Sequence, residues 1–397
     1  MPHYATIGNL AQATQVIKGM QLRGIEWGED YRVHARRATV EFLEGQMQFR
    51  VDDYLDDMER RGEYDRRNGY YSRHLLTELG DIELAVPRTR AYSAVGVVKA
   101  YARRTGDVDR AIMACFTLGV STRKVALTLL PFLGEGVSAT TVSQIAKALD
   151  SAVDAFHKRP LTQPYRVLIL DGVVLKKRTG AGAKKHPVLV ALGLTHDGRK
   201  EVIDFRTTTG ESQAAWEEFL NDLFRRGLTG EGLELLCVDG GAGLLAALST
   251  VYPHVQRQRC WAHKIRNIID KVRKVDAEKV KQGLHAIMNA ANLTKARSKA
   301  RAFANKWERR YPKAVACLRN DLDDLLTFLG VFSDPKWRKW VRTTNAIERR
   351  FVEVRRRTRP MGVFADRASI ERILFAVFTH ENWKQGVPTL FPLTQNY

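Results

Sequence analysis

Val167-Leu168-Ile169-Leu170-Asp171-Gly172 decides the reading of this chain, together with its counterpart Leu235-Leu236-Cys237-Val238-Asp239-Gly240. Each is a short apolar run followed at once by Asp-Gly, and each reads as a strand that ends at an aspartate. Val188–Leu194 is a further apolar run. The turn His196-Asp197-Gly198 joins it to another at Glu201–Phe205. Between the third strand and Leu235, residues 211–226 set Trp216, Phe219, Leu220 and Leu223 at helical spacing. A short helix through Leu244–Leu248 leads to a last strand near Val255–Arg259. The order is three strands, helix, strand, helix, strand. Tight turns make the first three antiparallel, and returns through helices favour parallel pairing for the rest. That is the order of an α/β ribonuclease-H-like domain with a mixed five-stranded sheet.

A lone strand-end Asp-Gly is ordinarily a turn. Two on neighbouring strands can bring their carboxylates together at the sheet edge where α/β folds bind ligands. Close carboxylates repel, and a divalent cation with a taste for oxygen, such as Mg²⁺, removes that penalty. A third carboxylate is available in Thr343-Thr344-Asn345-Ala346-Ile347-Glu348-Arg349-Arg350-Phe351. Here Ile347, Phe351 and Val354 form the apolar face of a helix. Glu348 borders that face, with Val352 and Arg355 following on its own side. Glu348 can then reach into the cleft while Arg349, Arg350, Arg356, Arg357 and Arg359 face phosphates. A glutamate paired with nearby arginines is the ordinary alternative, and the pattern alone leaves Glu348 and Glu353 both open.

Residues 264–340 interrupt this domain. Gly283 is the only glycine between Lys264 and Tyr311, with no proline there. Ile265, Ile268, Ile269 and Val272 share one helical face, as do Leu318, Leu322, Leu325 and Leu329 later. This predicts an all-helical insertion with a basic surface. Upstream, Val40, Leu43, Met47, Val51, Leu55 and Met58 mark one face of a helix that stops near Gly62. In Arg66-Arg67-Asn68-Gly69-Tyr70-Tyr71-Ser72-Arg73, Asn-Gly signals a turn. Its tyrosines and arginines suit either a phosphate-gripping surface or a cover for the core. Ile82, Leu84 and Val86 alternate as a strand that Pro87 ends. Ser121 and Ser138 can cap two helices, the second carrying Val142, Ile145, Leu149, Val153 and Phe156, with a break from Pro131 to Gly136 between them. The pair suggests a helix-turn-helix.

Lys plus Arg is 64 and Asp plus Glu is 44, a net charge of +20, which points to nucleic acid as partner. A hydrophobic share of 44% excludes a disordered chain. No apolar run approaches the ~20 residues that span a bilayer, and no signal peptide opens the chain, so a cytoplasmic protein without membrane partners is expected. Cys115, Cys237, Cys260 and Cys317 lie far apart and suggest reduced thiols. Cys260-x-x-His263 has the spacing of half a zinc site, but no second Cys/His pair lies near, so zinc is not expected.

From about residue 60 to 385 the chain resembles the bacterial insertion-sequence transposases related to plant Mutator transposases. The resemblance is carried by Arg67-Asn68-Gly69-Tyr70, Val86-Pro87-Arg88, Leu170-Asp171-Gly172 and Asp197-Gly198-Arg199-Lys200-Glu201. It continues through Gly210-Glu211-Ser212, Trp216 and Arg226-Gly227-Leu228, then Gln258-Arg259-Cys260-Trp261-Ala262-His263-Lys264-Ile265-Arg266-Asn267. Thr344-Asn345-Ala346-Ile347-Glu348-Arg349, Arg355-Arg356-Arg357-Thr358-Arg359 and Gly362 complete it. The resemblance implies an acidic triad at Asp171, Asp239 and Glu348, with Cys260, Trp261 and His263 as support beside it. It also implies two-metal cleavage and joining of DNA with Mg²⁺, or Mn²⁺ in its place. Terminal inverted repeats and target DNA would be the substrates, and a homodimer or larger assembly the working form. Phosphate contacts are expected from Arg66, Arg67, Tyr70, Arg73 and Arg88, from Arg123 and Lys124, and from Arg259, Lys264, Arg266, Arg349, Arg355, Arg356 and Arg359.

The layout expected is a DNA-binding or dimerisation region at 1–100 and a helix-turn-helix-like domain at 101–160. The catalytic domain would occupy 161–263 and 341–397, with the insertion at 264–340. The rivals are a catalytically idle DNA-binding protein, which needs no triad, and a nuclease of the same fold acting on branched nucleic acid, which would not join ends.

Overall fold

The computed structural model describes residues 26–98, 103–117, 120, 122–133, 137–179, 182–361 and 367–388. The cap expected at Ser121 and the motif glycine Gly362 lie outside the described residues, as do the side chains of Arg123 and Arg359. The chain divides into two compact units between Lys147 and Ala148.

The first unit begins with α1 (Glu26–Arg60), a β-hairpin of β1 (Arg67–Thr77) and β2 (Gly80–Thr89), and a 3₁₀ turn (Ala94–Val98). Met47 and Val51 of α1 are buried against Leu75, Ile82, Leu84 and Val86. Alternation along β2 produces that one buried face. Two local expectations fail here. Asn68-Gly69 is not a hairpin turn: it falls where the β1–β2 register shifts, with Gly69 at φ +72°, so the extra residue is absorbed as a bulge. Pro87 does not end its strand but pairs opposite Tyr70 in a two-stranded sheet, where a missing N–H can face outward. The tight turn lies instead at Thr77–Gly80. Three helices follow: α2 (Gly106–Thr117), α3 (Thr122–Leu133), which runs through Pro131, and α4 (Ala139–Ala146). Ser138 caps α4 by accepting from the Thr141 N–H at 3.0 Å. The apolar stripe from Val142 to Phe156, expected as one helix, breaks after Ala146.

The second unit takes up that stripe with α5 (Leu149–Lys158). Its sheet contains β3 (Tyr165–Thr179), β4 (Gly182–Thr195), β5 (Lys200–Thr207), β6 (Leu235–Val238) and β7 (Arg257–Arg259) in the order β5-β4-β3-β6-β7. β3, β4 and β5 pair antiparallel, and β6 and β7 add parallel. This is the mixed five-stranded sheet read from the sequence. α6 (Gln213–Arg225), capped by Ser212, and α7 (Ala242–Val251) cover one face. They bury Trp216, Phe219, Leu220 and Leu248 against Leu168, Leu170, Leu189 and Leu236, each large side chain stabilising by about 1.5–3 kcal/mol. Asp204 is fully buried in β5, bonded to His157 Nδ1 at 2.7 Å and ion-paired with Arg226.

After β7 the chain forms α8 (Trp261–Ile269), α9 (Lys274–Met288), α10 (Leu293–Trp307), α11 (Pro312–Asn320), α12 (Leu322–Val331) and α13 (Pro335–Val341). It closes with α14 (Asn345–Met361) and α15 (Arg367–Trp383). Phe351 of α14 meets Phe378 of α15 edge-on, and Phe378 in turn meets Phe205 of β5. Among the described residues, no helix is long and apolar enough to cross a membrane.

Candidate active site

Asp171 does not end its strand. β3 runs on to Thr179, still paired with β4, because Val173, Val174 and Leu175 keep the chain extended. What ends at Asp171 is the other pairing: the parallel register with β6 stops at Leu170↔Val238. Asp239 is the next residue after β6, so the register sets the two aspartates side by side. Side-chain alternation puts Asp171 with Val167 and Ile169, on the face opposite Leu168 and Leu170. Asp171 is 3% exposed, and Asp239 is half-buried. Asp239 Oδ1 accepts from the Gly241 N–H at 2.9 Å, which fixes its carboxylate.

The third carboxylate arrives from the far side of the helical segment, by a route the backbone specifies. The Cys260 N–H donates to Val238 O at 2.7 Å, tying the start of that segment to the end of β6. The Trp261 N–H donates to Arg342 O at 3.0 Å, so the chain returns beside the point where it left. Trp261, fully buried, also donates its indole N–H to Leu325 O at 2.8 Å. Thr344 follows, fully buried, and α14 starts at Asn345. Ile347, Phe351 and Val354 are the buried face of α14. Glu348 sits half-buried at its border, and Val352 and Arg355 are exposed beyond it.

Thr344 is the junction of the site. Its N–H donates to Cys260 Sγ at 3.3 Å, and its Oγ1 lies 3.5 Å from His263 Nδ1 and hydrogen-bonds Asp171. The imidazole N–H can donate to Thr344 Oγ1, and the hydroxyl either to Cys260 Sγ, 3.6 Å away, or onward to Asp171. The charges agree with it. The hydrogen bond with Cys260, then the charges of Cys260, Asp171 and Asp239, raise His263 to about 9 against the pull of burial. Burial pushes the Cys260 thiol up, but its contacts with His263 and Thr344 carry it below its ordinary value. Asp171 is pushed up to about 7. Burial is the main cause and the charges of Asp239 and Glu348 add to it, while Thr344 and His263 act the other way.

An all-oxygen, all-carboxylate donor set around a charge that burial resists has the chemistry of a Mg²⁺ or Mn²⁺ site. The three carboxylates act on one another electrostatically. Even so, among the described residues no group of three or more His, Cys, Asp or Glu side chains is arranged to hold a metal ion.

Sequence reasoning missed Thr344 and Glu211 as participants. The Glu211 carboxyl packs where a Cβ on Gly172 would stand, and burial, then the charge of Asp239, raises its pKa. The signal for both lay in motifs that were read as framework. Glu353 is accounted for: its carboxylate pairs with Arg356 at 2.8 Å and with Arg357 at 2.7 Å.

The cations expected on phosphates divide. Arg266, Arg349, Arg355 and Arg356 are exposed, as is Lys124. Arg259 and Lys264 are buried, and their charges are spent on Asp321, Arg259 at 3.2 Å. Lys264 Nζ also donates to Cys317 O at 3.2 Å. The Arg259 guanidinium covers Gly240, whose φ of +85° and lack of a side chain admit it. Arg259 therefore braces Asp239's turn and Lys264 ties α8 to Asp321, and neither offers its charge outward. Arg357 is likewise buried against Glu353. In the first unit Arg66 is exposed and Arg67 pairs with Asp52 of α1. Tyr70 is 62% exposed, and its hydroxyl lies 3.3 Å from the Gln48 amide. Arg73 and Arg88 line a groove of about 980 Å³ with Arg103 and Arg104. All four cysteines are free.

Comparison with known proteins bears on this site as a whole. The sequence profile described as "Transposase, Mutator family" matches residues 12–386. The transposase for insertion sequence element ISRM5 of Rhizobium meliloti (strain 1021) is 34% identical over 323 residues, 81% of this chain and 80% of the relative. The transposase for IS905 of Lactococcus lactis subsp. lactis (strain IL1403) is 33% identical, with 81% of each chain covered. That for IS256 in transposon Tn4001 of Staphylococcus aureus is 31% identical, over 80% of this chain and 82% of the relative. Among solved structures, a simian T-cell lymphotropic virus intasome in complex with PP2A regulatory subunit B56 gamma aligns with 52% of this chain and 63% of its own, at 10% identity. Its TM-score of 0.19 is too low to argue from. The profile spans both aspartates, the helical segment and α14 in one continuous match, and on that ground the chain belongs to the Mutator family of transposases.

Proposed function

We propose that this protein is a metal-dependent DNA transposase that binds the terminal inverted repeats of an insertion sequence, cleaves DNA at the element ends and joins the 3′-hydroxyl to target DNA. The observation that supports the reading is the β3–β6 register, which sets Asp171 beside Asp239, with the charge of Glu348 also acting on Asp171. The three carboxylates would hold Mg²⁺, or Mn²⁺ in its place. When bound, the ions would supply charge stabilisation to the attacked phosphate and to the attacking and leaving oxygens.

The chain's own groups do the rest. Thr344 and His263 hold Asp171 in one orientation and favour its ionised form. Arg259, seated over Gly240, fixes the turn that presents Asp239. The backbone bonds from Cys260 to Val238 and from Trp261 to Arg342 return α14, and so Glu348, to the sheet edge. Exposed Arg349, Arg355 and Arg356 on α14 would take the phosphates flanking the cut. On this reading the second unit is a ribonuclease-H-like catalytic domain in which 264–340 is the helical insertion. The first unit, with its Arg-lined groove and α3–α4 as a helix-turn-helix-like pair, would recognise the element ends. A dimer or larger assembly would pair two ends at the nucleoid.

The test incubates the protein with labelled element ends and Mg²⁺. Wild type and Glu353→Gln should cut and join; Glu348→Gln should lose at least about 100-fold, as a lost ligand of a phosphoryl-transfer site does. Equal activity of Glu348→Gln and wild type would remove Glu348 from the triad. Cutting without joining would favour the nuclease.

A further inference from the structure

A second charged cavity lies beside the first turns of α14. It has a volume of about 520 Å³ and is lined by Lys200, Lys336, Lys339, Arg342, Arg349 and Arg350, with no Asp or Glu among its lining residues. Several buried or half-buried cations of the second unit are ion-paired: Arg259 and Lys264 with Asp321, Arg226 with Asp204, Arg372 with Asp150. Among the described residues none of these six makes an ion pair. Arg350 is buried; its Nη1 donates to Ala346 O at 3.3 Å and the charge of Glu381 acts on it, but its Nε has no partner among the described residues. Leaving a buried cationic donor unpaired is costly, so the arrangement calls for an anion.

The cavity is also built to keep its charges together. The Trp340 ring has Lys200 Nζ 4.7 Å and Lys336 Nζ 4.9 Å from its centroid, two cation–π contacts that hold like charges near each other. Gly198, at φ +87° in the β4–β5 turn, lies against the same ring, and any side chain there would collide with it. Asn345 and Ala346, the first turn of α14, complete the wall and add the positive end of a 17-residue helix. Burial and the charges of Arg350 and Arg349 lower the Lys200 pKa, as befits a cluster without counter-charge.

We propose that this cavity is a phosphate-binding site that seats the backbone of the DNA strand running beside the carboxylate centre, gripped by Lys200, Lys336, Lys339 and Arg350. The inference rests on the reading that the protein works on DNA. Arg349 lies next to Glu348 on α14, so a strand held here would pass within one helix width of the triad.

The experiment measures binding of a fluorescent element-end duplex by anisotropy between 0.05 and 0.3 M salt, a range of roughly the usual width for phosphate-driven binding. It uses the full chain carrying Asp171→Asn so that the DNA stays intact. Adding Lys336→Ala and Lys339→Ala, both exposed, should weaken binding roughly tenfold or more and flatten the plot of log affinity against log salt by about 1–2, since each lost phosphate contact removes about 0.9. Lys339→Ala alone, which touches no described partner, should give about half that change and guards against a folding defect, checked by thermal melting. An unchanged slope and affinity would overturn the proposal. So would tight binding of inorganic tripolyphosphate that depends on both lysines while DNA binding does not, because the site would then serve a free polyphosphate. If wild type fails to cut DNA but the lysine changes still flatten the slope, the transposase reading falls and the cavity assignment stands.

Discussion

Asp171→Asn should make the metal-free protein more stable, and by an amount that depends on pH. In the fold, burial first and the charges of Asp239 and Glu348 after it lift the carboxyl from 3.8 to about 7. That rise corresponds to about 4 kcal/mol by which the folded protein disfavours the ionised form. The sign follows from proton counts. Below pH 4 the carboxyl is protonated in both folded and unfolded chains, and no penalty exists. Between pH 4 and 7 the folded chain keeps a proton that the unfolded chain has released, so stability falls as pH rises. Above about pH 7 both forms are ionised and the full penalty stands. Asparagine has nearly the same shape, keeps an acceptor for the Thr344 hydroxyl and carries no charge. At pH 8 in EDTA the variant should therefore melt above wild type, by roughly 10 °C if each kcal/mol moves a unit of this size by about 2–4 °C. At pH 4 the two should melt together.

Added Mg²⁺ should close most of the gap. An ion that binds only the folded state at 100 times its Kd contributes about 2.7 kcal/mol, and wild type should gain most of that while the Asn variant gains little. Differential scanning calorimetry at pH 4, 6 and 8, with and without Mg²⁺, reads all of this. A variant that melts at or below wild type at pH 8 in EDTA would refute the claim that Asp171 sits under electrostatic load, and with it the strongest physical sign of a metal site.

Two further outcomes follow from the same geometry. Thr344→Val removes the hydroxyl that links His263 to Asp171; cleavage should fall roughly 10- to 100-fold with a higher Mg²⁺ requirement, as for other groups that orient metal ligands, and Thr344→Ser should recover most of it. Asp204→Ala leaves the buried Arg226 and His157 without their common partner and should cost about 3–5 kcal/mol in urea unfolding, whereas a loss under 1 kcal/mol would show that the pair contributes little.

The sheet was legible because most of its strands carry a short apolar run and are separated by unambiguous turns and helices; pairing sense followed from connection length alone. Asp171 shows where that logic stops. Asp-Gly reads locally as a turn, but β4 offers Val173 to Thr179 a full antiparallel partner, and pairing overrides the local preference. Pro87 and Asn68-Gly69 fail in the same way, because a hairpin can absorb a proline and a bulge that the sequence presents as breaks. Arg259 and Lys264 were read as outward charge for want of any view of Asp321, which stands more than fifty residues downstream. Thr344 was visible only as part of a motif. Its role depends on Cys260 and His263 at the start of α8 and Asp171 of β3 meeting it from two separate elements.

The position of Asp321 bears on how the site is kept together. It lies at the junction of α11 and α12, inside the helical segment, and takes charge from Arg259 at the end of β7 and from Lys264 in α8. Gln258 makes a second tie, with its Nε2 donating to Leu325 O at 3.0 Å and its Oε1 accepting from the Phe328 N–H at 2.8 Å. Trp261 adds a third through Leu325. Three consecutive stretches of the Gln258–Lys264 motif thus hold α12, and all are buried, where an unmade hydrogen bond costs about 1–3 kcal/mol. The helical segment is therefore fastened to the sheet edge at the same residues that support Asp239. On the proposed reading, DNA lying across the segment would act on Asp239's turn through Arg259 over Gly240, and on Asp171 through Thr344. The carboxylates do not form a metal-holding set among the described residues, and this linkage is the physical route by which DNA seated beside α14 would draw them together.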